Sequence, residues 1–313
     1  MDSLRLAVIG VGYLGTHHAR IYRGLKGVAL VGLCDVDPSK ARLAHKFQTA
    51  FFPKYRDLFG KVDAVSIVVP TQQHFPIAKA FLDEGIHVLI EKPMTETLEE
   101  ADTLLQLARD KGLLIQVGHV ERFNKAIDTI DALFRSPRFI ECHRLGPFRK
   151  RGTEVGVVQD LMIHDIDIVL YLIKSPVERI DAVGVNVLTP YTDIANVRIN
   201  FKNGAVANLT ASRITRDFMR KIRVFGDNMY VSLDYMKQRA NLYRMENGAI
   251  RHQKMAIPTE EPLRRELEAF VAAVQRREKP LVSGEDGREA LRVALEVERM
   301  IQERLTEARK ILV

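Results

Sequence analysis

The rhythm of hydrophobic and polar positions changes near residue 122, and the change divides the chain. Before it, short β-rich apolar runs at 4–10, 29–34, 62–69, 87–90 and 113–117 read as strands buried on both faces. Helical stretches separate them: one through His18, Ala19 and Arg20, then 40–46, a short one at 55–59, and 76–84. A further helix opens at Thr97-Leu-Glu-Glu100, which has the spacing of a capping box, and runs to about Asp110 with Gly112 as its stop. Strand–helix alternation of this kind predicts an α/β fold with a doubly wound parallel sheet.

Beyond Arg122 the texture is different. A helix over 126–134, a strand over 139–144 and a loop over 146–156 precede a helical stretch at 160–173. Alternating strands follow at 180–188, 193–201, 205–212, 220–225, 229–234 and 240–244, punctuated by turns at Asn203-Gly204, Gly226-Asp227-Asn228 and Asn247-Gly248. This predicts an α+β region around an open, mainly antiparallel sheet of about six strands, whose face can take a substrate or another subunit. From Pro262 the pattern returns to helix, over 263–277 and 289–305. The expected division is a nucleotide-binding domain over 1–121, a substrate and oligomerisation domain over 122–261, and C-terminal helices over 262–313 packing back on the first domain.

The stretch at 160–173 is apolar on nearly every side, the pattern of a buried helix. One polar stripe runs through it: Asp160, His164 and Asp167, at spacings of four and three, share a helical face. Unpartnered polar groups cost roughly 2–7 kcal/mol to bury. The stripe therefore either pairs internally or lines a cavity, and the residues alone leave both readings open.

Composition changes this picture little. At 46% hydrophobic and 28% charged, the 313 residues are ordinary globular material. Cys34 and Cys142 have no metal-ligand or CxxC spacing. The chain enters its first strand after Met-Asp-Ser, leaving no room for a leader, and no apolar run approaches the ~20 residues of a membrane span, so a cytoplasmic location is expected. The net charge of +7 is scattered among acids, with no nucleic-acid-reading motif, and it suits an anionic small molecule better than DNA or RNA. An open antiparallel sheet favours a homodimer or homotetramer.

Candidate chemistry gathers at the carboxyl ends of the first five strands, where doubly wound sheets bind ligands. Gly10-Val-Gly12-Tyr13-Leu14-Gly15 follows a strand and opens a helix, the setting in which GxGxxG binds a dinucleotide pyrophosphate. Asp35, twenty residues beyond Gly15, ends the second strand; an acid there suits the ribose diol of NAD and repels the 2′-phosphate of NADP. Pro70, Thr71 and His74, then Glu91-Lys92-Pro93, then 118–123 end the next three strands. Glu91-Lys92 can equally be an exposed ion pair beside a strand-ending proline. His17, His18 and His119 read as packing or cofactor-edge residues, with His74 the better site candidate. A metal held by Asp160 and His164 lacks a further ligand cluster, and none is expected.

The glycine motif, Glu91-Lys92-Pro93 and Asp160-xxx-His164, in that order and spacing, resemble the Gfo/Idh/MocA family of NAD(P)-dependent sugar and cyclitol oxidoreductases. The resemblance runs from Leu4 to about Leu305 and takes in Pro70-Thr71-xx-His74 and Ser283–Gly287. It departs from the family pattern at Val155, where a glycine is usual. Residues 118–124 and 160–167 look most like the branch that oxidises C3 of nucleotide-linked N-acetylglucosamine, such as UDP-N-acetylglucosamine, although Lys125 stands where that branch often has proline. The resemblance implies NAD as cofactor, a nucleotide sugar as substrate, and Lys92, Asp160 and His164 around the reacting carbon. Either His164 or Lys92 can then be the base. It also brings Arg122 and Asn124 into substrate binding. Arg122, Arg149, Arg151 and Arg213 can bind a sugar diphosphate, or serve simply as surface charge. Two other readings stand beside this one: the same chemistry on a free sugar or inositol, and a non-catalytic NAD-binding regulator on the same fold.

Overall fold

The computed structural model describes residues 3–149, 155–237, 239–258 and 260–311. The chain forms two compact units, Met1–Phe123 with Glu261–Leu291, and Asn124–Glu260 with Arg292–Val313.

In the first unit, strands β1 (Leu4–Ile9), β2 (Val28–Cys34), β3 (Ala50–Phe52), β4 (Ala64–Ile67), β5 (His87–Glu91) and β6 (Ile115–Gly118) form one parallel sheet in the order β3-β2-β1-β4-β5-β6. The order reverses between β1 and β4, and that switch point is where such sheets open a ligand crevice. Helices α1 (Tyr13–Arg23), α2 (Ala41–Phe47), α3 (His74–Asp83) and α4 (Leu98–Lys111) make the crossovers. The capping box of α4 is present: Thr97 Oγ1 accepts from the Glu100 amide, and the Glu100 carboxylate accepts from the Thr97 amide. Leu6, Val8, Leu33 and Leu89 from the strands pack with Ala19, Ile21 and Tyr22 of α1. Each large apolar side chain so buried contributes roughly 1.5–3 kcal/mol.

The second unit holds α5 (Lys125–Leu133), α6 (Ile163–Ile173) and strands β7 (Phe139–Leu145), β8 (Val177–Val185), β9 (Ile194–Phe201), β10 (Val206–Ser212), β11 (Met219–Gly226), β12 (Met229–Asp234), β13 (Arg239–Glu246) and β14 (Ala249–Met255). All eight strands form one sheet, ordered β14-β13-β12-β11-β7-β10-β9-β8. Pairing is antiparallel except between β7 and β10. The expected sheet of about six strands is thus too small. Strand β14 gave no signal because its first six residues are all exposed, so it has no apolar face to alternate. Its hairpin turn fits the sequence: Asn247 and Gly248 both have positive φ, at 51° and 77°.

Two further expectations need correction. Residues Val158–Met162 form a π-helical turn before α6, so Asp160 and His164 do not sit on the regular α-helical spacing assumed from sequence. The C-terminal helices also divide. Helix α7 (Pro262–Arg276) gives Leu267, Phe270, Val271 and Val274 to the first unit's core. Helix α8 (Gly284–Ile311) starts in that unit, but from Arg292 it belongs to the second, where Gln159 donates to Glu298 at 2.6 Å. Among the described residues, no helix is long and apolar enough to cross a membrane.

Candidate active site

The glycine loop separates two demands on a glycine. Gly10 ends β1 with φ +86°, and a Cβ there would lie 2.3 Å from the Val68 carbonyl oxygen; one on Gly15 would lie 1.9 Å from that of Gly10. Both are therefore required by the fold itself. Gly12 is different: a Cβ on it meets nothing within 4 Å. It caps α1, whose N-terminus has neither a side-chain cap nor an acid in its first turn. Orphan N–H groups and the positive end of the helix are left facing that open space, as an incoming anion requires. Leu14 is half-buried and Tyr13 exposed beside it. Asp35 Oδ2 accepts from the Val11 amide at 2.7 Å, and Oδ1 from the Asp37 amide at 2.9 Å. The carboxylate thus braces the loop, and its remaining lone pairs can still accept a ribose diol. These residues fit a nicotinamide dinucleotide.

At the next strand ends, two candidates turn inward. His74 is 1% exposed; its Nδ1 lies 2.9 Å from the Pro93 carbonyl oxygen and its Nε2 2.9 Å from that of Val69. The ring ties the end of β4 to the turn after β5. Burial pushes its pKa below the ordinary value, against the pull of both carbonyls. Glu91 is 9% exposed, with Oε1 3.2 Å from His18 Nε2, and a Cβ on Gly118 would come within 2.8 Å of Oε2. Its carboxylate is packed between α1 and the end of β6. Lys92, the next residue, is half-buried and precedes a cis bond to Pro93. Pro70 is exposed and Thr71 half-buried at the start of a 3₁₀ turn over Thr71–Gln73. Arg122 is buried, 3.7 Å from Asp286. In the second unit Asn124 caps α5, its Oδ1 accepting from the Ala126 amide at 3.1 Å. Each of these two has a structural task that its sequence motif did not disclose.

Asp160 and His164 are half-buried on the π turn and the first turn of α6, whereas Asp167 is 1% exposed. The sequence stripe thus splits by burial, with Asp160 and His164 the more accessible members. An unforeseen pair lies behind them. Asp165 accepts from Arg144 Nε at 2.9 Å and from Nη2 at 2.8 Å, with both residues buried. A signal existed: Ile140, Cys142 and Arg144 occupy successive inward positions on β7, and an arginine there demands a buried carboxylate. Arg213, also buried, donates to the Val155 carbonyl at 2.6 Å and has Nε 3.6 Å from Asp193. Burial works to raise the Asp193 pKa, but the amides of Leu188, Thr189 and Val187 outweigh it and hold the carboxyl below its usual range. Arg149 is exposed, 5.0 Å from the Phe218 ring centre. Arg151 lies outside the described residues. Among those described, no three His, Cys, Asp or Glu side chains gather as a metal ligand set. Burial pushes the Cys34 thiol up to about 12 and that of Cys142 well above its usual value, which leaves both poor nucleophiles.

This pairing of units has relatives. Residues 4–119 match the oxidoreductase family with an NAD-binding Rossmann fold, and residues 126–232 match the GFO/IDH/MocA C-terminal domain. UDP-N-acetylglucosamine 3-dehydrogenase of Acidithiobacillus ferrooxidans is 36% identical over 305 residues, covering 95% of this chain and 97% of that protein. The chain belongs to the Gfo/Idh/MocA oxidoreductase family. Within that family, a solved structure of the Acidithiobacillus ferrooxidans UDP-N-acetylglucosamine 3-dehydrogenase GnnA aligns with a TM-score of 0.92 at 35% identity, covering 97% of this chain and 99% of that one. Myo-inositol 2-dehydrogenase of Thermotoga maritima is 25% identical over 326 residues, covering 96% and 97%. As a Gfo/Idh/MocA member the chain is an oxidoreductase that uses a nicotinamide cofactor.

Proposed function

We propose that this oxidoreductase uses NAD to oxidise the C3 hydroxyl of a nucleotide-linked amino sugar, UDP-N-acetylglucosamine, to the 3-keto sugar. The observation that carries the reading is the end-to-end 36% identity to a dehydrogenase of that substrate. Asp35 supports NAD over NADP, since a carboxylate already committed to the loop repels a 2′-phosphate.

Oxidising a secondary alcohol removes a hydride from carbon and a proton from oxygen. Bound NAD supplies the hydride acceptor. His164 takes the hydroxyl proton, because imidazole titrates near neutral pH and this ring is half-buried. Lys92 donates a hydrogen bond to the same oxygen and stabilises its negative charge as the C–H bond breaks. Asp160, four residues before His164, orients the sugar or the imidazole. The enzyme acts as a homo-oligomer, and one sheet face supports this. Phe139, Phe225, Tyr230, Tyr243 and His252 form a ladder across five strands with ring centres 4.4–5.5 Å apart, all part-exposed or exposed.

A second reading, oxidation of a free cyclitol or sugar, draws on the myo-inositol relative. One experiment divides them. UDP-N-acetylglucosamine, myo-inositol and glucose are each incubated with the full chain and NAD, with 2-oxoglutarate added to reoxidise any tightly held NADH. The proposal expects a keto sugar nucleotide, lighter than its substrate by H2. Turnover of inositol or glucose, with none of any nucleotide sugar, overturns it.

A further inference from the structure

The second unit contains a cationic cleft of about 120 Å³, lined by Arg144, Arg149, Arg213, Arg220, Asp160 and Phe218 among others. Two of its cations are set against each other. Arg144 on β7 and Arg220 on β11 are directly opposed in the antiparallel ladder. Like charges in that register destabilise the pair. The sheet keeps them there by fixing Arg144 from behind, through its two hydrogen bonds to Asp165. Arg213 is held in the same manner, by the Val155 carbonyl and Asp193. Arg149 leans over Phe218 at the exposed rim. Two guanidinium groups are thus buried and locked, and two more stand at or near the surface beside them. Asp160 is the acid that lines the cleft; Asp165 and Asp193 hold two of the arginines.

We infer that this cleft is a subsite for the diphosphate of the substrate, an inference that rests on the nucleotide-sugar reading for the identity of its ligand. A guanidinium presents its donors in a planar fork that matches phosphate oxygens in pairs, and a diphosphate has oxygens enough to engage several forks at once. The volume is right for a charged group and too small for a whole ligand, since pockets that enclose one are on the order of 300–1,000 Å³. Asp160 lines the cleft and lies four residues before His164, so an anion bound here is anchored beside the proposed proton acceptor. Locking the arginines in advance removes the ordering entropy that binding would otherwise incur. Arg220 and Phe218 become specificity residues, and Arg144 a positioning element for the anion.

The test uses the full chain with NAD bound. Arg149→Gln and Arg220→Gln are made singly and together, with Arg179→Gln as control; Arg179 is an exposed residue on β8, four strands from β11 in the sheet, paired with Asp181. Inorganic pyrophosphate and UDP are titrated calorimetrically against each variant, and KM is measured for UDP-N-acetylglucosamine. Each single substitution is expected to weaken pyrophosphate and UDP binding and to raise KM about tenfold. The double variant is expected to lose more, and R179Q to match the parent. Pyrophosphate binding that is absent from the parent, or unchanged in the double variant, overturns the subsite, and turnover of the nucleotide sugar in that case leaves the substrate reading standing. Pyrophosphate binding that is lost in the double variant, by a parent that turns over no nucleotide sugar, upholds the anion subsite and overturns the substrate reading.

Discussion

The loop cluster of the first unit and the helix face of the second solve the same problem, holding polar groups ready, by opposite means. In the first, main-chain atoms do most of the holding: Asp35 grips the Val11 amide, His74 bridges the carbonyls of Val69 and Pro93, and two glycines are dictated by backbone clearance. In the second, the central pair is side chain to side chain, Arg144 with Asp165 across 21 residues of sequence, while Arg213 combines the Val155 carbonyl with the Asp193 carboxylate 3.6 Å away. Under the proposed function, the difference follows from the ligands. A dinucleotide pyrophosphate is the same in every enzyme that uses it, so backbone N–H groups and a helix end suffice. A substrate must be distinguished from its competitors, and only side chains can make that distinction.

Substitutions can break this contrast on either side, and the largest effects fall on the chemistry. Lys92→Met and His164→Asn are each expected to lower kcat by about 10²–10⁴-fold while NAD affinity, followed by fluorescence titration, stays close to that of the parent. Next comes the buried pair. Arg144→Met leaves Asp165 charged without its partner and should cost about 3–5 kcal/mol, read as an earlier chemical-denaturation transition of the second unit. The glycine loop gives a smaller but sharper result. Gly12→Ala is expected to leave the melting temperature unchanged, because its methyl group meets no protein atom, yet to weaken NAD about tenfold. Gly15→Ala, whose methyl collides with the Gly10 carbonyl, should lose stability and cofactor together.

The smallest effect is one of pH. Burial lowers the pKa values of His74 and His87 from 6.5, and His87 Nδ1 accepts from the Leu114 amide, which requires the neutral ring. With a depressed folded-state pKa, the unfolded chain binds more protons as pH falls below about 6.5, so stability present above that value is lost on acidification. Melting temperature should therefore be flat above neutrality and fall below it, and His74→Gln should flatten the slope.

The same contrast explains what the sequence disclosed. Gly10–Gly15, Asp35, the capping box at Thr97 and the hairpin at Asn247-Gly248 are local: each is a backbone geometry that a few adjacent residues specify. What stayed hidden depends on distant partners or on surface strands. Strand β14 is exposed over its first six residues, and no periodicity marks the π turn under Asp160. Glu91 and His74 sit in motifs that point to ligand binding, but their side chains turn inward, to His18 and to two carbonyls, because neighbouring strands and α1 bring those partners close. Asp165 lay between the residues of the polar stripe and gained its meaning only when Arg144 was seen across from it.

The central claim is that hydride leaves C3 of a nucleotide-linked amino sugar for NAD. UDP-N-acetylglucosamine deuterated at C3, incubated with the full chain and NAD, tests it directly by mass spectrometry of the nicotinamide cofactor. The account predicts that the deuterium appears in the reduced cofactor and that turnover slows with the label. Reduced cofactor that forms without deuterium, while label placed at another sugar carbon is transferred, would contradict it.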